Sequence, residues 1–425
     1  MLTEWIDKEK VFKDPVHDYI YVQSPLIWDL INTRAFQRLR RIRQLGTSYL
    51  TYHGAEHSRF THSLGTYETM RKVLAQFERN FGWPSEERVR NLALCAALLH
   101  DLGHGPFSHT IEGVFKFHHE TWTQRILVED PEINFIMKRH VDEQFAQDVA
   151  DVIAKKSKHK LVVKLISSQL DVDRMDYLLR DAVNTGVTYG TFELERLIRV
   201  MRPDPETNNV LVKRSGMHTV EQYILARYFM YSQVYLHPVT VSSDVLLRHV
   251  FQRAKKLYDL GTDVYVPNEL RPLFDRHMDE VTVAEYLDVD EGVVTYTLQR
   301  WTREDDPTLR DLADRFVNRR LFGVINTREL TDLERKQISE MFKNHGLNPE
   351  YYLSFQSAKV SGYHYYQQGI ELLGDDGKTT DIASASWLVR SLKPDTMFRI
   401  FCPKEVLRGE GKFKPIRGWL MGVKD

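Results

Sequence analysis

The chain has 425 residues, 42% of them apolar, enough for two or three domains and a sizeable core. Its formal net charge of -1 excludes a global field for nucleic acid or a membrane surface, so any anion site must be local. Two cysteines, Cys95 and Cys402, give no disulfide framework and point to a reducing cytoplasm; no apolar run reaches the ~18 residues of a spanning helix, and the charged start MLTEWIDKEK lacks a signal core.

Residues 1–24 read as extended, a hairpin or an arm, with Tyr19, Ile20, Tyr21 and Val22 alternating after Pro15. Ser24-Pro25 opens a helix. Residues 34–44, RAFQRLRRIRQ, read as a helix. Its Arg34, Arg38, Arg40, Arg41 and Arg43 form either a solvated basic face or a phosphate-binding one. A polar loop over 53–62 runs into a helix ending near Phe77, with His62 in its first turn. Helices fit 119–129, 143–155, 160–181 and 190–202. Residues 203–212 are a turn flanked by strand-like residues, and a helical pattern from Val220 to Leu257 is interrupted at His237-Pro238. Beyond, the texture changes. Short β-like pieces such as VVTYTL mix with short helices over 262–300, and helices fit 310–322 and 332–343. Strand-like runs follow from Tyr351, with Gly374-Asp-Asp-Gly377 as a hairpin turn and IASAS after it. The fold class is therefore mainly α: a helical core over 1–260 and a smaller α+β region over 261–425.

The chemistry centres on residues 91–109, NLALCAALLHDLGHGPFSH. Leu92 to Leu99 is apolar on every side, the mark of a buried helix. It ends in His100 and Asp101. A buried carboxylate beside a buried imidazole is costly unless compensated, and a divalent metal compensates both. Gly103 and Gly105 break the helix, and His104 and His109 follow within one or two turns. His62, on the preceding helix, is the natural third ligand. The fourth should be a carboxylate, and residues 171–181, DVDRMDYLLRD, offer several. On a helix Asp173, Tyr177 and Asp181 line one face.

The order H…HD…D, here His62, His100-Asp101 and Asp173, resembles the HD-domain metal phosphohydrolases. Five blocks resemble more narrowly the HD-domain deoxynucleoside triphosphate triphosphohydrolases: FQRLRRIRQLG (36–46), HSRFTHSLG (57–65), LLHDLGHGPFSH (98–109), HHE (118–120) and DVDRMDYLLRD (171–181). The resemblance covers roughly residues 10–260 and implies an HD core there, with its metal-binding segment at about 50–182. It implies His62, His100, Asp101 and Asp173 as ligands of one divalent ion. Two imidazoles and two carboxylates accept Mn, Fe, Ni, Zn or Mg, and further Mg could accompany the nucleotide. It implies His119 as the acid with Glu120 as its orienting carboxylate, and adds His104 as a catalytic candidate. Arg59 would grip the α-phosphate, and Gln44 and Leu45 the deoxyribose. His109, Arg174, Tyr177, Asp181, Arg227 and Tyr235 would complete the substrate site. Arg174 stands where the vertebrate enzyme has lysine, and Tyr231 where it has histidine.

The resembled enzymes are often nucleotide-activated homotetramers. Lys10, Val11, Gln37, Arg40 and Arg319 match their activator site, so a (d)GTP-like activator and a regulatory or oligomerising C-terminal region are expected. Asn32 replaces an aspartate that reads guanine, and Pro238 a regulatory lysine. The expected substrate is a dNTP, cleaved to deoxynucleoside and inorganic triphosphate; nucleic acid is not expected as the main substrate. Two alternatives stand beside this reading: another HD phosphohydrolase or phosphodiesterase acting on a nucleotide, and a nucleotide-sensing binding protein.

Overall fold

The computed structural model describes residues 9–360, 363, 369–392 and 394–423, without the side chains of His109, Val360 and Asp395. The alternation after Pro15 forms a hairpin, β1 (Lys10–Asp14) against β2 (Asp18–Val22). Ten helices then build the core: α1 (Pro25–Asn32), α2 (Arg34–Arg38), α3 (Arg59–Phe81), α4 (Glu87–Leu99), α5 (Ser108–Phe115), α6 (His119–Glu129), α7 (Pro131–His140), α8 (Phe145–Ile153), α9 (Lys160–Ile166) and α10 (Val172–Thr185). α11 (Leu194–Val200) leads into β3 (Met201–Asp204) and β4 (Asn209–Lys213). α12 (Met217–Phe229) continues as a π-helical turn over Met230–Tyr235, and His237 caps α13 (Pro238–Asp259) at the expected proline break.

The remainder carries α14 (Arg271–Asp275), α15 (Val283–Leu287), α16 (Glu291–Trp301), α17 (Pro307–Val317), β5 (Gly323–Thr327), α18 (Asp332–Asn344), β6 (Ser354–Val360), β7 (Glu371–Leu373), β8 (Thr379–Asp381) and β9 (Asp395–Cys402). Besides the hairpin, the described strands form a sheet ordered β3-β4-β7-β8 and another ordered β5-β9-β6. The fold is mainly α with small sheets, as its pattern predicts. No helix among the described residues is long and apolar enough to cross a membrane.

Leu92 to Leu99 of α4 are all buried, and α4 packs on α3, α8 and α9 while α10 packs on α3. This brings the ends of three helices together under one apolar roof.

Several local expectations are corrected. The helix expected over 160–181 breaks at 167–171. There Ser168 Oγ accepts from the Leu170 amide, and the Asp171 carboxylate from the amides of Ser168 and Arg174. These short side chains offer the backbone a local alternative to the helix, and Asp171 becomes the N-cap of α10. VVTYTL is not β-like but lies in α16, which Asp290 caps and which buries Val294, Leu298 and Trp301 on one face. Burial overrides β-branched propensity here. IASAS likewise starts a short helix, Ile382–Ala385, capped by Asp381. The helix expected over 310–322 is α17, begun earlier at Pro307 by the Asp306 N-cap and ended at Val317.

The helix expected over 34–44 ends as α2 and a single tight turn, and Arg43 then bridges Ser58. Three of its five arginines pair with acids, and Arg40 bonds Gln37. Arg34 pairs with Asp288, Arg41 with Asp290, and Arg43 with Glu56 and Glu291. Buried Arg38 donates to the Val289 carbonyl at 2.9 Å and the His104 carbonyl at 2.8 Å. The arginines thus fasten the acidic run 288–291 to the core. Beside them Tyr286 stacks on Trp122 at 4.0 Å and donates to the Gly103 carbonyl at 2.6 Å.

Tyr286→Phe should lower the urea-measured stability by about 1 kcal/mol through the lost buried hydrogen bond, and Tyr286→Ala by about 3–5 kcal/mol through the lost packing.

Candidate metal centre and active site

His62 in the first turn of α3, His100 at the end of α4 and Asp173 in the first turn of α10 converge. His62 Nε2 lies 3.3 Å from His100 Nε2 and 3.1 Å from Asp173 Oδ1, and His100 Nε2 lies 3.4 Å from Asp173 Oδ1. Asp101 closes the set, with Oδ1 at 3.3 Å from His100 Nε2 and Oδ2 at 3.7 Å from His62 Nε2. Adjacent donors around an ion with bonds of about 2.1 Å stand about 3 Å apart, and the spacing of His62, His100 and Asp173 suits one cation, with Asp101 beside them.

The other ring nitrogens agree. His100 Nδ1 donates to the Ala97 carbonyl at 3.0 Å, and His62 Nδ1 to Asp176 Oδ2 at 2.8 Å. Each bond fixes a tautomer that leaves the Nε2 lone pair for a metal. The field agrees too. Burial alone would push His62 down, yet the Asp173 and Asp176 carboxylates push it up to about 10. His100 is also raised against its burial, by Asp101 and Asp173. Asp101 is held well below the usual carboxylate range against its burial, by His100 and Arg59. Asp173 is lowered in the same way by His100 and His62. The imidazoles are thus favoured as cations and the carboxylates as anions.

A second cluster adjoins the first. His104 Nε2 lies 3.3 Å from Asp101 Oδ1, and its ring stacks on that of His119 at 3.7 Å and 15°. His119 Nδ1 donates to the Glu112 carboxylate at 3.1 Å, and His104 Nδ1 lies 3.6 Å from it. His104, Glu112 and His119 have donor types suited to a metal. But imidazole lone pairs lie in the ring plane, and two nearly parallel planes 3.7 Å apart do not converge on one ion. The cluster is built as a hydrogen-bonded acid–base group. Burial and the Arg59 guanidinium push His104 down to about 4.

The orienting carboxylate for His119 is therefore Glu112. Glu120, expected in that role, is exposed and faces Lys155 at 3.6 Å. Thr123 joins the two clusters: its Oγ1 donates to the His100 carbonyl at 3.0 Å and accepts from the Gly103 amide at 2.9 Å. Gly103 admits this approach, since a Cβ there would stand 2.1 Å from the His119 carbonyl oxygen.

The other expected residues are placed as follows. Arg59 is buried, donating to Asp101 Oδ2 at 2.5 Å and Ser108 Oγ at 3.1 Å. Gln44 and Leu45 are half-buried, and Gln44 Oε1 has no partner among the described residues. The His109 side chain lies outside the described set. Arg174 is drawn back to Asp171 and to the Ser168 carbonyl. Tyr177 stands 6.4 Å from the His62 ring and 6.2 Å from the Tyr235 ring. Asp181 accepts from Tyr235 Oη at 2.8 Å and from His57 Nε2 at 2.7 Å. Buried Arg227 lies over the Tyr231 ring at 5.8 Å. Of the activator set, Gln37 and Arg40 are bonded together at 2.8 Å, Lys10 lies over Trp28, and Val11 is exposed on β1. Arg319 donates elsewhere, to the Leu50 carbonyl. Glu112, Thr123, His57 and Asp176 escaped the sequence reading by role; His57 and Asp176 lie in the blocks HSRFTHSLG and DVDRMDYLLRD, which did carry a signal.

Residues 59–181 match the HD domain family, and residues 192–346 match the HD associated region. The uncharacterised protein YwfO of Bacillus subtilis is 46% identical, over 95% of this chain and 94% of that one. This chain belongs to the HD-domain phosphohydrolase family. A crystal structure of a phosphohydrolase from Bacteroides thetaiotaomicron is similar to this HD protein at a TM-score of 0.83 and 26% identity, over 93% of this chain and all of that one. The chicken deoxynucleoside triphosphate triphosphohydrolase SAMHD1 is 27% identical over 61% of this chain and 48% of its own.

The purified HD protein should carry about one divalent ion per chain, and His100→Ala almost none, by elemental analysis; a variant that keeps its ion would remove His100 from the centre.

Proposed function

We propose that the chain hydrolyses deoxynucleoside triphosphates to deoxynucleoside and inorganic triphosphate. The observation that carries this reading is the position of Asp101, shared between the His62–His100–Asp173 set and the His104–Glu112–His119 group. A reaction at one phosphorus needs a cation on the phosphoryl oxygens and an acid on the leaving oxygen, and here one carboxylate ties the two together. The likeness to SAMHD1 supplies the substrate class.

His62, His100, Asp101 and Asp173 would hold the ion. A divalent ion so bound supplies Lewis-acid polarisation of a phosphoryl oxygen and acidifies a water. Arg59, already against Asp101, would neutralise the α-phosphate. Water attacks the α-phosphorus and the bond to the 5′-oxygen breaks. His119 gives its Nε2 proton to that oxygen, while Glu112 holds Nδ1. Gln44 Oε1, buried without a partner, is an acceptor for a sugar hydroxyl. Tyr177, with Tyr235 anchored on Asp181, would wall the sugar. Arg174 and Arg227 would meet the outer phosphates, Arg174 after exchanging its bond to Asp171.

We further propose that Lys10, Val11, Gln37, Arg40 and Arg319 take a (d)GTP-like activator in a homotetramer. Residues 261–425 would be the regulatory and oligomerising part, and the cytoplasm the compartment.

Incubating the protein with each dNTP, manganese and added GTP or dGTP should release tripolyphosphate and the free deoxynucleoside. Pyrophosphate, monophosphate or no product would refute the reading. His119→Ala should lower kcat by about 10²–10⁴ while its metal content stays that of the wild type.

A further inference from the structure

Behind His62 lies a buried charged network that the proposed reaction does not use. Asp176 of α10 is fully buried and accepts four hydrogen bonds. They come from His62 Nδ1 at 2.8 Å, His17 Nε2 at 2.7 Å, and Arg180 Nε and Nη2 at 2.8 and 3.0 Å. Arg180, also fully buried, reaches on to Asp14 with bonds of 2.8 and 3.2 Å. Asp14 in turn accepts from the amides of Val16 and His17 at 2.9 and 3.0 Å. It thereby shapes the turn that carries His17.

So the β1–β2 hairpin, far from α10 in sequence, supplies His17 to Asp176 directly and Asp14 to it through Arg180. A third observation stands apart from these bonds. Gly65 lies one helical turn after His62, and a Cβ there would sit 1.9 Å from Asp176 Oδ1 and 2.2 Å from Arg180 Nη2. Glycine inside an exposed helix is normally a loss against alanine; here its bare backbone is the floor of the network.

We propose that the β1–β2 turn is part of the metal centre. His17 and Asp14, acting through Asp176 and Arg180, are positioning residues that fix the orientation and tautomer of His62. The physical reason is the number of donors. A carboxylate that bonds only one imidazole can rotate and take the ring with it. Asp176 is held on both oxygens by three side chains, so His62 Nε2 stays aimed at the ion. Outer partners of metal-bound histidines are worth about 10- to 100-fold in metal affinity.

The proposal rests on the metal reading of the site and not on the identity of the substrate. The test is manganese affinity of the full chain, by calorimetry and by the electron paramagnetic resonance signal of free ion, beside urea unfolding of the metal-free protein. His17→Leu should bind manganese about 10- to 100-fold more weakly. His17→Gln, which keeps a donor, should recover most of the affinity. Gly65→Ala, which pushes Asp176 and Arg180 aside, should weaken binding as His17→Leu does, and it decides the matter if His17→Leu does not fold. Ile338→Ala, a core truncation in α18, should lose stability but keep its affinity. Folded His17→Leu or Gly65→Ala protein with wild-type affinity, or no rescue by His17→Gln, would overturn the proposal. A wild-type chain that binds no divalent ion would instead overturn the metal reading itself.

Discussion

Two carboxylates and two imidazoles packed between α3, α4 and α10 carry a desolvation cost that the apolar helices around them cannot relieve. The rest of the structure is arranged to meet that cost. Asp101 is answered by Arg59, Asp176 by Arg180, and the imidazoles by carboxylates or carbonyls on their far nitrogens. What these bonds leave over is the cluster of His62, His100 and Asp173 donor atoms with Asp101 beside it, an arrangement of the kind that suits a divalent cation. The buried apolar face of α4 is therefore more than core. It fixes where His100 and Asp101 emerge, and the break at Gly103 lets α6 bring His119 alongside.

The C-terminal region takes part in this geometry through α15 and the acidic run after it. Tyr286 and Arg38 both bond carbonyls of the loop that follows the metal ligands, at Gly103 and His104. That loop carries one member of the acid group. A change in how the C-terminal region sits would reach the site through these contacts, and through Glu291 on Arg43 and Phe316 against Phe107.

Much of the centre was legible in the sequence because helix grammar is local. An apolar run ending in His-Asp and a histidine in the first turn of the helix before it point to His100, Asp101 and His62, whereas Asp173 is singled out among the acids of 171–181 by the family resemblance. The partners of those residues were not legible, for a matching reason. Glu112 displaces Glu120 because the turn between α5 and α6 folds α5 back on the start of α6 and brings Glu112 to His119, and no periodicity reports it. His17 and Asp14 sit in a hairpin that reads only as extended chain. The arginines of 34–44 looked like a surface or a phosphate site because their partners lie some 250 positions downstream. The misread pieces VVTYTL and IASAS carried β-branched or small residues, but an aspartate cap and a buried face decided both as helix.

The central claim is that these four side chains hold one ion, and anomalous diffraction from crystals grown with manganese tests it most directly. A single strong peak should lie within about 2.3 Å of His62 Nε2, His100 Nε2 and oxygens of Asp101 and Asp173. A peak centred instead between His104, Glu112 and His119, or none on the protein at saturating manganese, would contradict the claim.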